Sequence, residues 1–389
     1  MFKEDQSKKE GPVESPEIKR VQDAVFKEIE DRVRERHSEK EYHAPQHSET
    51  VDNHSADIFS IIREYNPDAI TEDTERARTT AARAHDMYIA TSTDPKTGMF
   101  TRLRGLGPSH MPENVARIIE AEGRVRLGNE EASAVELLGV VTLNDPDQRV
   151  YTADINEMMI EDIRATLPEP TFGAFPEETY TKTASGEYRV VIPDPDTKQN
   201  VDITHLFPQK DGKPIGLKMD QFISSDSRLG AIAVAMGDLS QGGRVDFEHF
   251  IDEGNREFWE SKPKIKALFA RGIENLSNDE RAELAREAIG WIKTQLGFIL
   301  HQKMRFENIL ATNKALNDLP EAAKTQEALQ ALYNKWDRNI LASAKRIENA
   351  DAYQSLSAPE AFDDPGANQK LEVLLKDMEY GHTDRSSDD

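Results

Sequence analysis

The stretch LGAIAVAMGDLS, residues 229–240, constrains this chain most. Gly230, Ala231, Ala233, Ala235 and Gly237 are interleaved with Ile232, Val234 and Met236, and no charge appears before Asp238. A helix that is small and apolar on every side belongs inside a group of packed helices rather than on their surface. It is therefore expected to be central, and its far end brings one carboxylate, Asp238, into the interior.

The helices around it are legible by period. Ile18, Val21, Val25, Ile29 and Val33 recur at three-to-four spacing over 18–36, under a charged outer face. After Pro45, His47, Val51, His54 and Ile58 share one helical stripe. Asn66-Pro67 breaks that helix, and the next is expected over 69–88. On it Ala77, Ala81 and Ala84 leave a face bare enough for close approach of a neighbour, and His85-Asp86 stands near its end. A loop is expected over 91–110, a helix over 112–121, and another from Asn129, a natural N-cap with Glu130 and Glu131 in its first turn.

Residues from about 145 to 220 differ in character. TYTKTASGEYRVVIP is rich in β-branched and aromatic residues around a Ser185-Gly186 turn, and NVDITHLF supplies another short strand. Helical pattern resumes near Arg228 and continues over about 246–272, 278–312, 320–352 and 367–379. The fold class expected is mainly α: a helical bundle over 41–310 carrying a small β-containing insertion at about 145–220. A disordered start and an N-terminal helix precede it over 1–40, and a C-terminal helical extension with a loose tail follows over 311–389.

Composition narrows the chemistry. The chain has no cysteine, so disulfides, thiolate metal sites and cysteine nucleophiles are excluded, and any metal must be held by nitrogen and oxygen. A formal net charge of −23 repels nucleic acid polymers, and a small phosphate can bind only where a cation reverses the local sign. No run approaches the ~20 apolar residues of a membrane span. The N-terminus lacks the apolar core of a signal peptide, so a cytoplasmic protein is expected.

His47, the pair His85-Asp86 and Asp238 offer two nitrogens and two carboxylates from three helices. Such mixed ligation with open water positions suits Mn²⁺, Mg²⁺, Fe or Zn²⁺, as one ion or two. His43, one helical turn before His47, is placed to act as a general acid on a leaving oxygen. Plainer readings stand beside these. A His-Asp pair also marks an ordinary helix end, Asp238 also suits the turn before Leu239-Ser240-Gln241, and His54 fits a core histidine. Glu130 and Glu131 suit the helix dipole.

The order of Tyr42-His43-Ala44-Pro45-Gln46-His47, then His85-Asp86, then Asp238-Leu239-Ser240 resembles the signature of the HD-domain metal-dependent phosphohydrolases. Within it, Glu253-Gly254-Asn255-Arg256-Glu257 and Gln295-Leu296-Gly297-Phe298-Ile299 are similar to later motifs of the class I 3',5'-cyclic-nucleotide phosphodiesterase branch. The resemblance spans about residues 41–310. It implies an HD-type helical bundle, with His47, His85, Asp86 and Asp238 as metal ligands, Asp86 as the bridge, and His43 as proton donor. It further implies Gln295 and Phe298 as a clamp on a nucleotide base, the amide bonding the base and the ring stacking on it, and Glu130 or Glu131 beside the water shell of a second metal. The activity implied is hydrolysis of a nucleotide phosphodiester, most of all a cyclic one, by a hydroxide raised on the metal.

The chain departs from the branch at three points. Ile89 stands where a second histidine is usual, Ala44 replaces an asparagine, and the β-containing insertion is additional. Two other readings therefore accompany the first: a broader HD nucleotidase or phosphatase, which needs the metals but not the clamp, and a non-catalytic regulatory protein that binds metal and nucleotide. Trp291, Phe298 and Phe306 also fit a core stripe, with Gln295 bonded to backbone.

Overall fold

The computed structural model describes residues 15–37, 40, 42–87 and 129–380. The expected loop over 91–110, the expected helix over 112–121, Ile89 and the extreme termini lie outside them. The main helices are α1 (Pro16–His37), α2 (Pro45–Tyr65), α3 (Glu72–Ala84), α4 (Asn129–Asn144), α5 (Ala153–Arg164), α6 (Leu229–Leu239), α7 (Phe247–Ser261), α8 (Pro263–Ala270), α9 (Asn278–Thr312), α10 (Ala322–Leu332), α11 (Trp336–Asp351) and α12 (Ala367–Lys376). Small antiparallel sheets lie between α5 and α6, so the described chain is mainly helical, as expected. No described helix is long and apolar enough to cross a membrane.

α6 is the partition of the molecule. Every residue from Gly230 to Asp238 is buried, and the helix packs on α2, α3 and α5. Val234 faces one core, made with Val21, Val25, Ile29 and Val33 of α1, the alanines of α3, Leu137 and Val140 of α4, and Ile155 and Met159 of α5. Ile232 and Met236 face a second core with Ile58 and Phe59 of α2, Ile289 of α9 and Ile340 of α11. Leu329 of α10 and Leu371 of α12 join this second core too, so the C-terminal helices and the bundle close over shared apolar side chains.

α2 and α6 approach to backbone contact. A Cβ at Gly237 would lie 2.9 Å from the carbonyl oxygen of Val51 and 3.2 Å from the amide nitrogen of Ser55. Both are backbone atoms of α2 and cannot rotate away. Gly237→Ala is therefore expected to cost about 1–3 kcal/mol in thermal or urea unfolding, as overpacking does, and to push Asp238 away from α2.

α2 and α3 are joined by a buried ion pair. Arg78 Nη1 donates to Asp52 Oδ1 at 2.8 Å and to Ser55 Oγ at 2.6 Å, while Arg83 Nε donates to Asp52 Oδ2 at 2.8 Å. α7 grips the chain after α12. Asn255 Nδ2 donates to the carbonyls of Asp377 and Glu379, Trp259 Nε1 donates to that of Met378, and Arg346 of α11 reaches the Asp377 carbonyl and carboxylate.

Several boundaries differ from expectation. The insertion starts at 168 rather than about 145. Thr152 caps α5 by accepting the amide of Ile155, and the buried stripe Ile155, Met159 and Ile163 gives helical burial to 153–164. From there β1 (Pro168–Ala174) pairs with the late strand β7 (Lys213–Gln221), Pro168 opposite Gln221 and Ala174 opposite Ile215. Between them lie β2 (Thr181–Lys182), β3 (Tyr188–Arg189), β4 (Val191–Pro193), β5 (Asn200–Asp202) and β6 (Gln209–Lys210). The hairpin of β2 and β3 turns through Gly186, whose φ of 86° suits the residue.

The helix expected over 246–272 is two, because Pro263 brings no amide hydrogen and starts α8 afresh. The one expected over 320–352 is interrupted between α10 and α11. α3 starts at Glu72, behind the Thr71 cap, rather than at 69, and ends at Ala84. His85 is thus its C-cap, and Asp86 lies in the turn beyond.

Candidate metal centre

Three helix ends build the site. Pro45 opens α2, which sets His47 in its first turn. α3 stops at His85-Asp86, and α6 presents Asp238 as its last residue but one. All four side chains are buried.

They converge. His47 Nε2 lies 3.5 Å from Asp86 Oδ2 and 3.4 Å from Asp238 Oδ1, and His85 Nε2 lies 2.9 Å and 3.8 Å from the same two oxygens. Donors that each stand about 2.0–2.2 Å from one ion are about 3–4 Å apart, so these spacings fit a shared cation. One ligand atom each from His47, His85 and Asp238 all lie within 4.8 Å of one another. These buried residues can hold a metal ion.

The tautomer of His85 supports that fit. Its Nδ1 lies 2.8 Å from the carbonyl oxygen of Ala82, which can only accept, so Nδ1 carries the proton. Nε2, the ligand atom, is buried and faces the carboxylate oxygens Asp86 Oδ2 at 2.9 Å and Asp238 Oδ1 at 3.8 Å. Burial alone would lower the pKa of this imidazole, but the charges of Asp86 and Asp238 raise it to about 9, so a cation entering the cluster would displace the proton from Nε2. Asp86 moves the other way. Burial favours its neutral form, yet His85, His43 and His47 hold it far below the ordinary carboxylate range.

His43 stands beside this cluster, its ring centroid 6.0 Å from that of His47, with Tyr42 packed 4.6 Å from His47. Its Nδ1 lies 2.6 Å from Glu260 Oε1, while Glu260 Oε2 accepts the backbone amides of Tyr42 and His43. Burial pushes the His43 imidazole down, but the hydrogen bond to Glu260 and the charges of Asp86 and Glu257 raise it to about 9. At neutral pH it holds its proton.

Four further residues support the site. His37, at the end of α1, donates from Nε2 to the backbone carbonyl of Asp86 at 2.9 Å. Gln221, the last residue of β7, donates to Asp238 Oδ2 at 3.1 Å. Glu260 holds His43, and Glu257 is pushed up to about 7 by burial. Glu257 and Glu260 sit three apart on α7 and share one helix face, a spacing visible in the sequence; nothing in the sequence ties His37 or Gln221 to the site. Glu130, read as a dipole partner or a helper to a second metal, is buried. Burial raises its pKa to about 7, with the charges of Asp86 and Asp238 adding to the rise.

Gln295 and Phe298 lie in other surroundings. Gln295 is buried, its Oε1 accepts from Arg346 Nη1 at 2.8 Å, and its amide nitrogen packs against Gly254. Phe298 is half-buried against the second core, as is Trp291. His54 packs under α6, its Nδ1 3.4 Å from the Gly237 carbonyl, and burial followed by the charge of Arg244 lowers it to about 4. It is a neutral packing histidine. Comparison of the chain with protein-family models, with curated proteins and with solved structures finds no match in any of the three.

Proposed function

We propose that the chain is a metal-dependent phosphohydrolase of the HD type, cleaving a phosphoester of a nucleotide. One observation carries the reading: His47, His85, Asp86 and Asp238 converge in a buried cluster, with His43 beside it on the carboxylate of Glu260. A divalent cation held there supplies a lowered pKa for a coordinated water and a local positive charge for an anionic ester. In a chain of net charge −23 that local reversal of sign is what admits a phosphate.

The protein's own part is orientation and proton transfer. The Ala82 carbonyl fixes the His85 tautomer, and His37 pins the backbone at Asp86. Glu260 anchors His43 through Nδ1 and leaves Nε2 to give its proton to the departing oxygen. His43→Ala is expected to lower kcat by about 10²–10⁴-fold while ion binding persists. The acid must be protonated to work, and its pKa is about 9, so activity falls as pH rises through about 9. Glu260→Gln replaces the charged acceptor by a neutral one, which removes the negative charge that helps raise this pKa, and moves the falling limb toward 6.5, which a pH–rate profile reads directly.

The engagement of Gln295 with Arg346 favours the broader nucleotidase or phosphatase reading over a cyclic-nucleotide specialist, because the amide oxygen that would meet a base is already bonded. Metal analysis followed by a screen with bis(p-nitrophenyl) phosphate, cyclic AMP and cyclic GMP separates the readings. Cleavage of the generic ester alone, unaffected by Gln295→Ala, removes the cyclic-nucleotide assignment. Ion and nucleotide binding with no ester cleaved leaves a non-catalytic regulatory protein, and failure to bind any divalent cation overturns the proposal.

A further inference from the structure

The β-containing insertion ends inside the metal centre. Gln221 closes β7, is buried, and lies between two groups of opposite charge. Its Nε2 donates to Asp238 Oδ2 at 3.1 Å, and its Oε1 accepts from Arg305 Nη1 of α9 at 3.0 Å. A guanidinium can only donate and an ionised carboxylate can only accept. An amide between them therefore has a single orientation, nitrogen toward Asp238 and oxygen toward Arg305.

That orientation sorts the two oxygens of Asp238. Oδ2 is occupied by the amide, and Oδ1 is the oxygen that lies 3.4 Å from His47 Nε2 and 3.8 Å from His85 Nε2. We infer that Gln221 and Arg305 form a positioning relay that holds Asp238 to present Oδ1 alone to the ion, so that the insertion is a working part of the centre. The inference rests on the metal reading above and goes beyond it by giving a role to residues from outside the ligand-bearing helices.

The scaffold of the relay is stiff. A Cβ at Gly297 would lie 2.8 Å from the Leu217 amide nitrogen, so α9 and β7 touch backbone to backbone. Two residues before Gln221, the Met219 amide donates to His301 Nδ1 at 3.2 Å and the Met219 carbonyl accepts from Gln302 Nε2 at 2.8 Å. Arg305 also donates from Nη1 to Gln302 Oε1 at 3.4 Å and from Nη2 to the Gln221 carbonyl at 3.5 Å. Both members are thus tied to one helix and one strand, and the amide between them meets Asp238 at a fixed place. Outer partners of ligating side chains typically contribute 10–100-fold in metal affinity, because they hold the ligand in its binding rotamer.

The test is calorimetric titration of the metal-free protein with Mn²⁺, alongside the melting temperature of each metal-free variant. Gln221→Leu keeps the volume and removes the donor, and is expected to weaken Mn²⁺ binding about 10–100-fold. Arg305→Met frees the amide to turn and is expected to weaken binding less. The double variant is expected to bind as Gln221→Leu does, because Arg305 acts through Gln221, whereas Arg305→Lys keeps one donor and restores part of the affinity. Arg305→Met, whose site is only partly buried, carries the test should Gln221→Leu fail to fold. Unchanged Mn²⁺ affinity in both single variants, or additive losses in the double, overturns the relay and leaves the metal reading intact. Wild-type protein that binds no Mn²⁺ overturns both.

Discussion

Asp86→Ala is expected to abolish ion binding. Its carboxylate lies 2.9 Å from His85 Nε2 and 3.5 Å from His47 Nε2, and its backbone is held by His37. Without it the cluster keeps two imidazoles and the single carboxylate of Asp238. The loss should exceed the ~10²-fold at the upper end for outer partners of ligands, so Mn²⁺ that saturates the wild type gives no heat with the variant, and hydrolysis falls to background. The fold is expected to persist. His85, raised to about 9 by this neighbour, reverts toward the neutral form that burial favours, so no uncompensated charge is left behind. Circular dichroism and metal titration together check the result, and wild-type affinity in the variant would remove Asp86 from the ligand set.

Asp52→Ala is expected to destabilise the protein by about 3–5 kcal/mol, the cost of breaking a buried ion pair by deleting one partner. The side chain of Arg78 is only 3% exposed, and Asp52 accepts from it and from Arg83 at once. Removal leaves the Arg78 guanidinium in the interior with Ser55 as its remaining side-chain partner on α2, Glu75 and Thr79 on its own helix, and the backbone carbonyl of residue 52. The effect reaches the site, because Asp52 lies on the helix of His47 and Arg78 on the helix that ends at His85. Urea unfolding of Asp52→Ala, Arg78→Met and the double variant measures it. The double should lose much less than the sum, and a loss under about 1 kcal/mol for Asp52→Ala would show the pair to be dispensable.

Much of this architecture is written in local pattern. α1, α2, α6 and α9 follow from apolar period and from their caps and breakers, and the stripe His47, Val51, His54, Ile58 is buried as its spacing requires. The alanines of α3 and the glycines of α6 announce close packing, and they bring together the residues read as ligands. What the pattern conceals is long-range pairing. β1 and β7 are separated by nearly forty residues and β1 carries two prolines, so nothing local shows that they meet. Gln221 and His37 reach the site only through such packing. α5 was hidden because its twelve residues sit at the edge of a β-rich stretch, with only Thr152 to mark its start. For Gln295 the order of motifs suggests a ligand contact, while the side chain is spent on Arg346, a residue 51 positions later.

The clasp behind α12 has its own consequence. Asn255, Trp259 and Arg346 take hold of main-chain carbonyls at 377–379, groups that every amino acid possesses. Apart from the Asp377 carboxylate and the buried Met378, exchange of side chains along that stretch leaves the grip intact. Cutting the polypeptide before it would strand an indole, an amide and a guanidinium together in the interior. The closing turn thus tolerates variation in spelling but not in length.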